Sequence, residues 1–326
     1  MEKINLFNKR ILYIGPVYFH YDNFIIKKFI ELGALVETFE LYPSSLYFKI
    51  IRILKLPLLK KFKKEYYNKL LLFDNFDFVL VRHGDVLEEK LLEKLRKINP
   101  NARFVNFHWD SIKPDYNYVS IIKYFDKVFS FDLMDCQTYE NINYLQLFYI
   151  DEYANYRKNE TSHKKEIDLL FIGSWRNEER YSIVKKTDKI CKENQLNFFF
   201  YLQYSFRNQF HSFKKGIIAK DARNKSLTHK EILNYFSKSN CIIDFTSSFQ
   251  TGLTIRTFET LGAGKKLITT NKNIINEPFY NPEYISIIDT SNIKLDIDFI
   301  NKAPISSIDE MMENYSIKNY IYKLLQ

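Results

Sequence analysis

The stretch Asn240 to Asn271, NCIIDFTSSFQTGLTIRTFETLGAGKKLITTN, decides the fold. It reads as a buried strand (Cys241 to Phe245), a polar turn, a helix from about Thr254 to Ala263, and a second strand (Leu267 to Thr270). Such a unit aims the backbone N–H groups of the helix start at the turn, where they favour an anion such as a diphosphate. Gly252 lets the backbone approach a ligand. Gly262 and Gly264 are expected to end the helix in the left-handed conformation that glycine tolerates. Arg256 and Glu259, three residues apart, share one helix face. A plain βαβ unit with a surface ion pair is the competing reading.

Outward from this stretch, both halves of the chain read as βαβ series. RILYIG (residues 10 to 15) is a first strand, Asn23 to Leu32 a helix closed by Gly33, and Ala34 to Phe39 the next strand. This is the opening of a doubly wound sheet. Its first loop carries His20 and Asp22, with Asp22 read as a helix cap. Asp77 to Arg82 is a further strand ending in His83, Gly84 and Asp85. Ala102 to Phe107 runs into His108, Trp109, Asp110 and Ser111. Open α/β sheets bind ligands at the carboxyl ends of their strands. Asp110 is therefore the first candidate for a general base or acceptor ligand, followed by Asp85 and His83; each is also a plausible turn or capping residue. Lys127 to Phe131 and Tyr144 to Tyr149 complete this half.

Residues 151 to 166, DEYANYRKNETSHKKE, are polar and charged, the composition of a connection. The second series starts at Ile167 to Gly173 and turns through SWRNEER. Gly173 and Ser174 occupy a turn that suits phosphate, with Arg176 and Arg180 within reach; pairing of these arginines with Glu178 and Glu179 is the rival reading. Thr228 caps a helix ahead of the central stretch, Tyr284 to Ile288 is the last strand, and Ile308 to Leu325 is helical. The chain therefore divides into domains 1–150 and 167–326 joined by the 151–166 linker, the last helix being able to pack back on the first domain.

Composition narrows the class. With 46% hydrophobic and 17% aromatic residues the chain has material for packed cores, which argues against disorder. No run of about 18 uncharged apolar residues is present, so no membrane-spanning helix is expected. The charged N-terminus passes straight into a strand and does not read as a signal peptide. Cys136, Cys191 and Cys241 are widely spaced, as buried thiols of a cytoplasmic protein would be. A net charge of +9 favours polyanionic partners. Eight of the 25 residues from 46 to 70 are basic and interleave with aliphatic and aromatic side chains, against one acid, Glu65. This basic amphipathic segment, divided at Pro57, suits an anionic membrane surface and a peripheral location on its inner face. A solvated helix face is the alternative, and nucleic acid is not expected because no reader motif accompanies the charge. No metal is expected: Asp296-Ile297-Asp298 is an isolated acid pair and the histidines are scattered.

Two α/β halves, a central linker, and a second half with strand, turn, Thr251-Gly252-Leu253-Thr254, helix with Glu259, glycine and strand together resemble the GT-B glycosyltransferases. The likeness is to the bacterial "glycosyl transferases group 1" proteins, including the spore-maturation-like branch. It covers most of the chain as architecture and is specific over Ile243 to Asn271, with support from FIGSWRNEER and HWDS. The resemblance implies two Rossmann-like domains facing a cleft, with a nucleotide-sugar donor in the second and an acceptor in the first. The basic, aromatic segment 46–70 motivates the further expectation that this acceptor is a saccharide or lipid-linked one, in bacterial surface polysaccharide or lipopolysaccharide synthesis. The resemblance also implies that Glu259 holds the donor ribose, as the second acid of the family's E-x7-E segment does. Thr251 stands where the first acid would be, so neither a retaining mechanism nor the first acid's sugar contact is carried over. Gly173, Ser174, Arg176, Arg180, Thr251 to Thr254 and Arg256 complete the implied donor set. A sugar-nucleotide epimerase of the same architecture and a non-catalytic polyanion-binding protein are the alternatives.

Overall fold

The computed structural model describes residues 4–16, 20–43, 45–54, 57–114, 116–159, 165–175, 177–204, 222–246 and 250–326. They form two compact units, Met1–Leu147 with Ile317–Gln326, and Phe148–Ser316.

The first unit is built on β1 (Arg10–Gly15), α1 (His20–Glu31), β2 (Leu35–Glu40), α2 (Leu46–Ile53), α3 (Leu58–Asn68), β3 (Phe78–Arg82), α4 (Glu89–Ile98), β4 (Arg103–His108), β5 (Lys127–Ser130), α5 (Leu133–Thr138) and β6 (Asn143–Tyr144). Its six strands are parallel in the order β2-β1-β3-β4-β5-β6. All five residues of β3 are buried, as expected of a strand covered on both faces. The strand order reverses between β1 and β3, and such a switch point opens a crevice outside the carboxyl ends of the strands. The loop carrying His83 and Asp85 leaves β3 there.

The second unit starts with α6 (Asp151–Asn159) and continues through β7 (Ile167–Ser174), α7 (Glu178–Glu193), β8 (Phe198–Gln203), β9 (Ala222–Arg223), α8 (His229–Ser237), β10 (Ser239–Asp244), α9 (Ile255–Gly262), β11 (Lys266–Thr269), β12 (Ile285–Ile287), α10 (Ile297–Asn301) and α11 (Asp309–Glu313). A final helix, α12 (Ile317–Leu325), returns to the first unit and packs against α1. The second sheet is also parallel, in the order β12-β11-β10-β7-β8-β9. Counted from β7 this is the doubly wound 3-2-1-4-5-6 arrangement, with its switch point between β7 and β10. Lys266, in the buried β11, donates to the carbonyls of Ile300 (2.8 Å) and Lys302 (2.6 Å), which joins the sheet to the end of α10. Burial lowers its pKa.

Several elements differ from the sequence reading. Part of the expected linker, residues 151–159, is helical: acids occupy its first turn, bases its last, and Tyr153 is buried. The single helix expected over Ile308 to Leu325 is two, because Met312 packs into the second unit while Ile317 onward serves the first. The strand expected at Tyr144 to Tyr149 shrinks to Asn143–Tyr144, and the Tyr149 N–H turns to the Tyr315 carbonyl (3.0 Å). Asp22 is no helix cap. It is fully buried, accepts from Arg82 Nε (2.5 Å) and Nη2 (2.7 Å), and takes a further bond from the Tyr13 hydroxyl (2.5 Å). Of the two glycines expected to end α9, only Gly264 is left-handed (φ 69°). Gly262 serves closeness instead, since a Cβ there would lie 2.4 Å from Tyr149 Cγ.

Candidate functional site

In the second unit a cavity of about 520 Å³ opens at the switch point. Its walls come from the segments beyond four strands: Asn177, Glu179 and Arg180 after β7, Phe245 and Thr246 after β10, Asn271 to Asn273 after β11, and Ile288 to Thr290 after β12. Ile183, Gln250, Thr251 and Thr270 also line it. This volume suits a small-molecule site. Asn177 caps α7, its side chain accepting from the Arg180 N–H (3.0 Å), so the positive end of a 16-residue helix faces this region. The Arg180 guanidinium donates to the carbonyls of Phe245 and Ser174 and so spans the ends of β10 and β7. At the rim Lys272 pairs with Asp289 (3.0 Å). Bonds from Ser291, then Lys272, hold the Asp289 carboxyl far below the usual carboxylate range.

The turn ahead of α9 is fastened by residues that sequence reasoning missed. Asn271 donates to the carbonyls of Thr251 and Gly252 (3.1 Å each), and Asn273 donates to that of Thr251 (3.1 Å). The Thr246 N–H bonds the Thr270 hydroxyl (2.9 Å). Thr254 occupies the N-cap position, yet its hydroxyl donates to Asp244 (2.5 Å). The one signal in the sequence was polar residues, TTNKN, following a buried strand at its carboxyl end.

Of the expected donor residues, Arg180 and Thr251 line the cavity. Ser174 and Gly252 do not line it, although their carbonyls accept from the lining residues Arg180 and Asn271; Gly173 lies within β7 and Leu253 is buried. Arg176 lies outside the described residues. Glu259 and Arg256 do not line the cavity. Glu259 is fully buried: its carboxylate accepts from the Tyr153 hydroxyl (2.7 Å) and contacts Arg256 (2.6 Å), with His229 Nδ1 at 3.9 Å. It thereby joins α9 to α6 and α8. Asp296 caps α10 by accepting from the Phe299 N–H (2.9 Å), and Asp298 pairs with Lys302 (2.9 Å).

The first unit gathers the three acceptor-side candidates at its own switch point. His83 has a left-handed backbone (φ 70°), a conformation uncommon for a residue with a Cβ, and Gly84 follows with φ 95°, which glycine adopts freely. Arg82 Nη1 lies 2.8 Å from His83 Nε2. Guanidinium can only donate, so Nε2 accepts and the imidazole proton resides on Nδ1. Burial, and then the Arg82 charge, push the His83 pKa down to about 3. This neutral ring, with its lone pair already engaged, is a donor and not a base. The Asp85 carboxyl, by contrast, is pushed up by burial and by nearby Asp110, against the pull of Lys63. Asp85 Oδ1 and His83 Nδ1 are buried without a hydrogen-bond partner among the described residues. Asp110 is exposed, 3.9 Å from His83 Nε2.

Behind this loop runs a chain of bonds with fixed direction. Asn106 Nδ2 donates to the carbonyls of Val81 (2.9 Å) and His83 (2.8 Å), which leaves its Oδ1 to accept from His108 Nε2 (2.7 Å). His108 Nδ1 then accepts from the Tyr116 hydroxyl (2.6 Å), and the ring stacks on Tyr118. Burial keeps His108 neutral by lowering its pKa. Asn106 and Tyr116 carry no motif, and only the folded register brings them together.

No family model matches the chain, and no curated protein matches it in sequence. Solved structures do. An α-glucosyltransferase in complex with UDP and a 13-mer DNA superposes with a TM-score of 0.55 at 16% identity, over 97% of this chain and 94% of that one. A putative UDP-N-acetylglucosamine 2-epimerase from Listeria monocytogenes gives 0.54 at 12% identity, over 98% and 95%. The chain has the GT-B fold. Its two parallel, doubly wound units are the pair of Rossmann-like domains of that architecture, and the likeness at these identities is one of fold.

Proposed function

We propose that this GT-B chain is a glycosyltransferase of the group 1 type. It takes a nucleotide-sugar donor in the second unit and a saccharide or lipid-linked acceptor in the first, in the assembly of a surface polysaccharide. The observation that carries the reading is the switch-point cavity, in which the N-terminus of α7, Arg180 and the asparagines after β11 converge. Departure of a nucleoside diphosphate develops negative charge, and a helix N-terminus with a guanidinium stabilises it without requiring a metal. The acceptor hydroxyl binds at the 83–85 loop, where the His83 Nδ1 proton and Asp85 Oδ1 offer one donor and one acceptor. Asp85, whose proton affinity burial has raised, is the better matched base, and Asp110 tunes it electrostatically.

Thermal-shift titration of the chain with nucleoside diphosphates and their sugars tests this, since a ligand specific to the folded state raises the Tm. One nucleotide should bind saturably, with or without a chelator, and Arg180→Ala should weaken it by roughly tenfold or more. In the same titration Glu259→Gln separates two roles: a direct ribose contact lowers affinity at unchanged Tm, whereas a part in the buried network with Tyr153 and Arg256 lowers the Tm of the free protein. No shift with any nucleotide removes the proposal.

The fold shared with a putative UDP-N-acetylglucosamine 2-epimerase, at nearly the same TM-score, favours a second reading as a sugar-nucleotide epimerase. Conversion of the nucleotide sugar in the absence of any acceptor would decide for it.

A further inference from the structure

The α2–α3 hairpin has two unlike sides. Its inner side is fastened to the first unit: Phe48 stacks on Phe62 (5.4 Å between centroids), and Phe62 stacks on Tyr66. The Tyr66 and Tyr67 hydroxyls bond the carbonyls of Glu40 (2.7 Å) and Leu41 (2.9 Å) at the end of β2. Its outer side leaves Ile50, Ile53, Leu54 and Leu58 in water, Ile53 at 73% and Leu54 at 61% exposure. Large aliphatic side chains grouped this closely on a surface mark a place where something apolar docks. Immediately along α3 stand the exposed Lys60, Lys61 and Lys64, with Lys63 partly exposed and Glu65 the one acid in that helix. Aliphatic side chains at the end of α2 and the start of α3, followed by a row of lysines, match a bilayer, whose acyl region takes the former and whose anionic headgroups take the latter.

The hairpin also leaves β2 at the carboxyl edge of the parallel sheet, the edge from which the His83–Asp85 loop leaves β3. Against the burial that raises the Asp85 pKa, the charge of Lys63 lowers it, and Tyr42, which precedes the hairpin, has its pKa raised by burial and then by the charges of Asp85 and Asp110. We propose that the α2–α3 hairpin docks the first unit on an anionic lipid surface, so that an acceptor carried by a lipid is presented at Asp85. The part concerning the acceptor rests on the glycosyltransferase reading; the docking does not.

Flotation of the full chain with phosphatidylcholine vesicles, with and without phosphatidylglycerol, tests the docking. Binding should require the anionic lipid and fall with salt. The exposed triple variant Ile53→Ser/Leu54→Ser/Leu58→Ser should lower partitioning at least tenfold. Lys60→Glu/Lys61→Glu/Lys64→Glu should lower it by on the order of a hundredfold, at about fivefold per lysine. Both variants should keep the wild-type Tm and nucleotide response, which separates loss of docking from loss of the donor site. Absence of wild-type flotation overturns the proposal. So does an apolar variant that floats as well as wild type, or one whose only change is the loss of a self-associated species in gel filtration. Binding to duplex DNA that matches vesicle binding and ignores the apolar variant assigns the patch to a polyanion instead.

Discussion

His83 holds three constraints in one residue: a left-handed backbone, a lone pair committed to Arg82, and a pKa pushed from about 6.5 down to about 3. Between these values the unfolded chain binds a proton that the folded chain refuses. The stabilisation from a neutral His83 is therefore complete above pH 6.5 and disappears as the pH falls toward 3, a span worth on the order of a few kcal/mol. His83→Asn, whose side chain tolerates positive φ, should flatten that limb. Melting curves from pH 7 to pH 4 should show wild type losing Tm faster than the variant, and parallel slopes would refute the assignment. Sequence alone made His83, Asp85 and Asp110 candidates because they follow strands. It placed Asp110 first and could not see the guanidinium that engages the His83 lone pair, which takes its position from Asp22, sixty residues earlier. The same limit applies to Glu259: its place in the helix was legible, but its burial comes from Tyr153 and Arg256, and Tyr153 belongs to a segment whose composition resembles a linker.

At the scale of elements, most strands were legible, because buried parallel strands are short apolar runs with little else to become. The helix over residues 255–262 was legible too, yet the purpose of its glycine was not. Gly262 permits α9 to lie against the Tyr149 ring, and only contact with a distant aromatic reveals that. Gly262→Ala places a methyl within 2.4 Å of Tyr149 Cγ. The ring is walled in by its own fold, so the substitution should cost about 1–3 kcal/mol, against the small gain that alanine usually brings to a helix. Chemical denaturation would measure it, and a stabilised Gly262→Ala protein would contradict the packing. Where boundaries slipped, at 151–159 and 308–317, the cause was tertiary: each lies where the chain passes from one unit to the other, and composition there reports exposure more than conformation.

For the whole molecule, two doubly wound sheets followed directly from two βαβ series, while the division of the chain into units did not follow from sequence order. Residues 317–326 belong with residues 1–147. In that unit the Tyr320 hydroxyl accepts from Trp109 Nε1 (3.1 Å), and Ile317, Ile321, Leu324 and Leu325 are buried. Removal of residues 317–326 should therefore weaken the first unit and spare the second. Protease protection should drop in fragments from the N-terminal half, while nucleotide binding in the second unit persists; loss of protection confined to the second unit would refute this.

The return of α12 also sets a schedule for biosynthesis. The ribosome delivers the first sheet early, but Trp109 and the face of α1 wait for a helix that emerges only after the whole second unit. Until then the second unit can close around its own strands while the first remains an unfinished intermediate with an open apolar seam. A stall within the second unit would hold the chain in that state, a substrate for chaperones, so that quality control of the first unit waits on synthesis of the second.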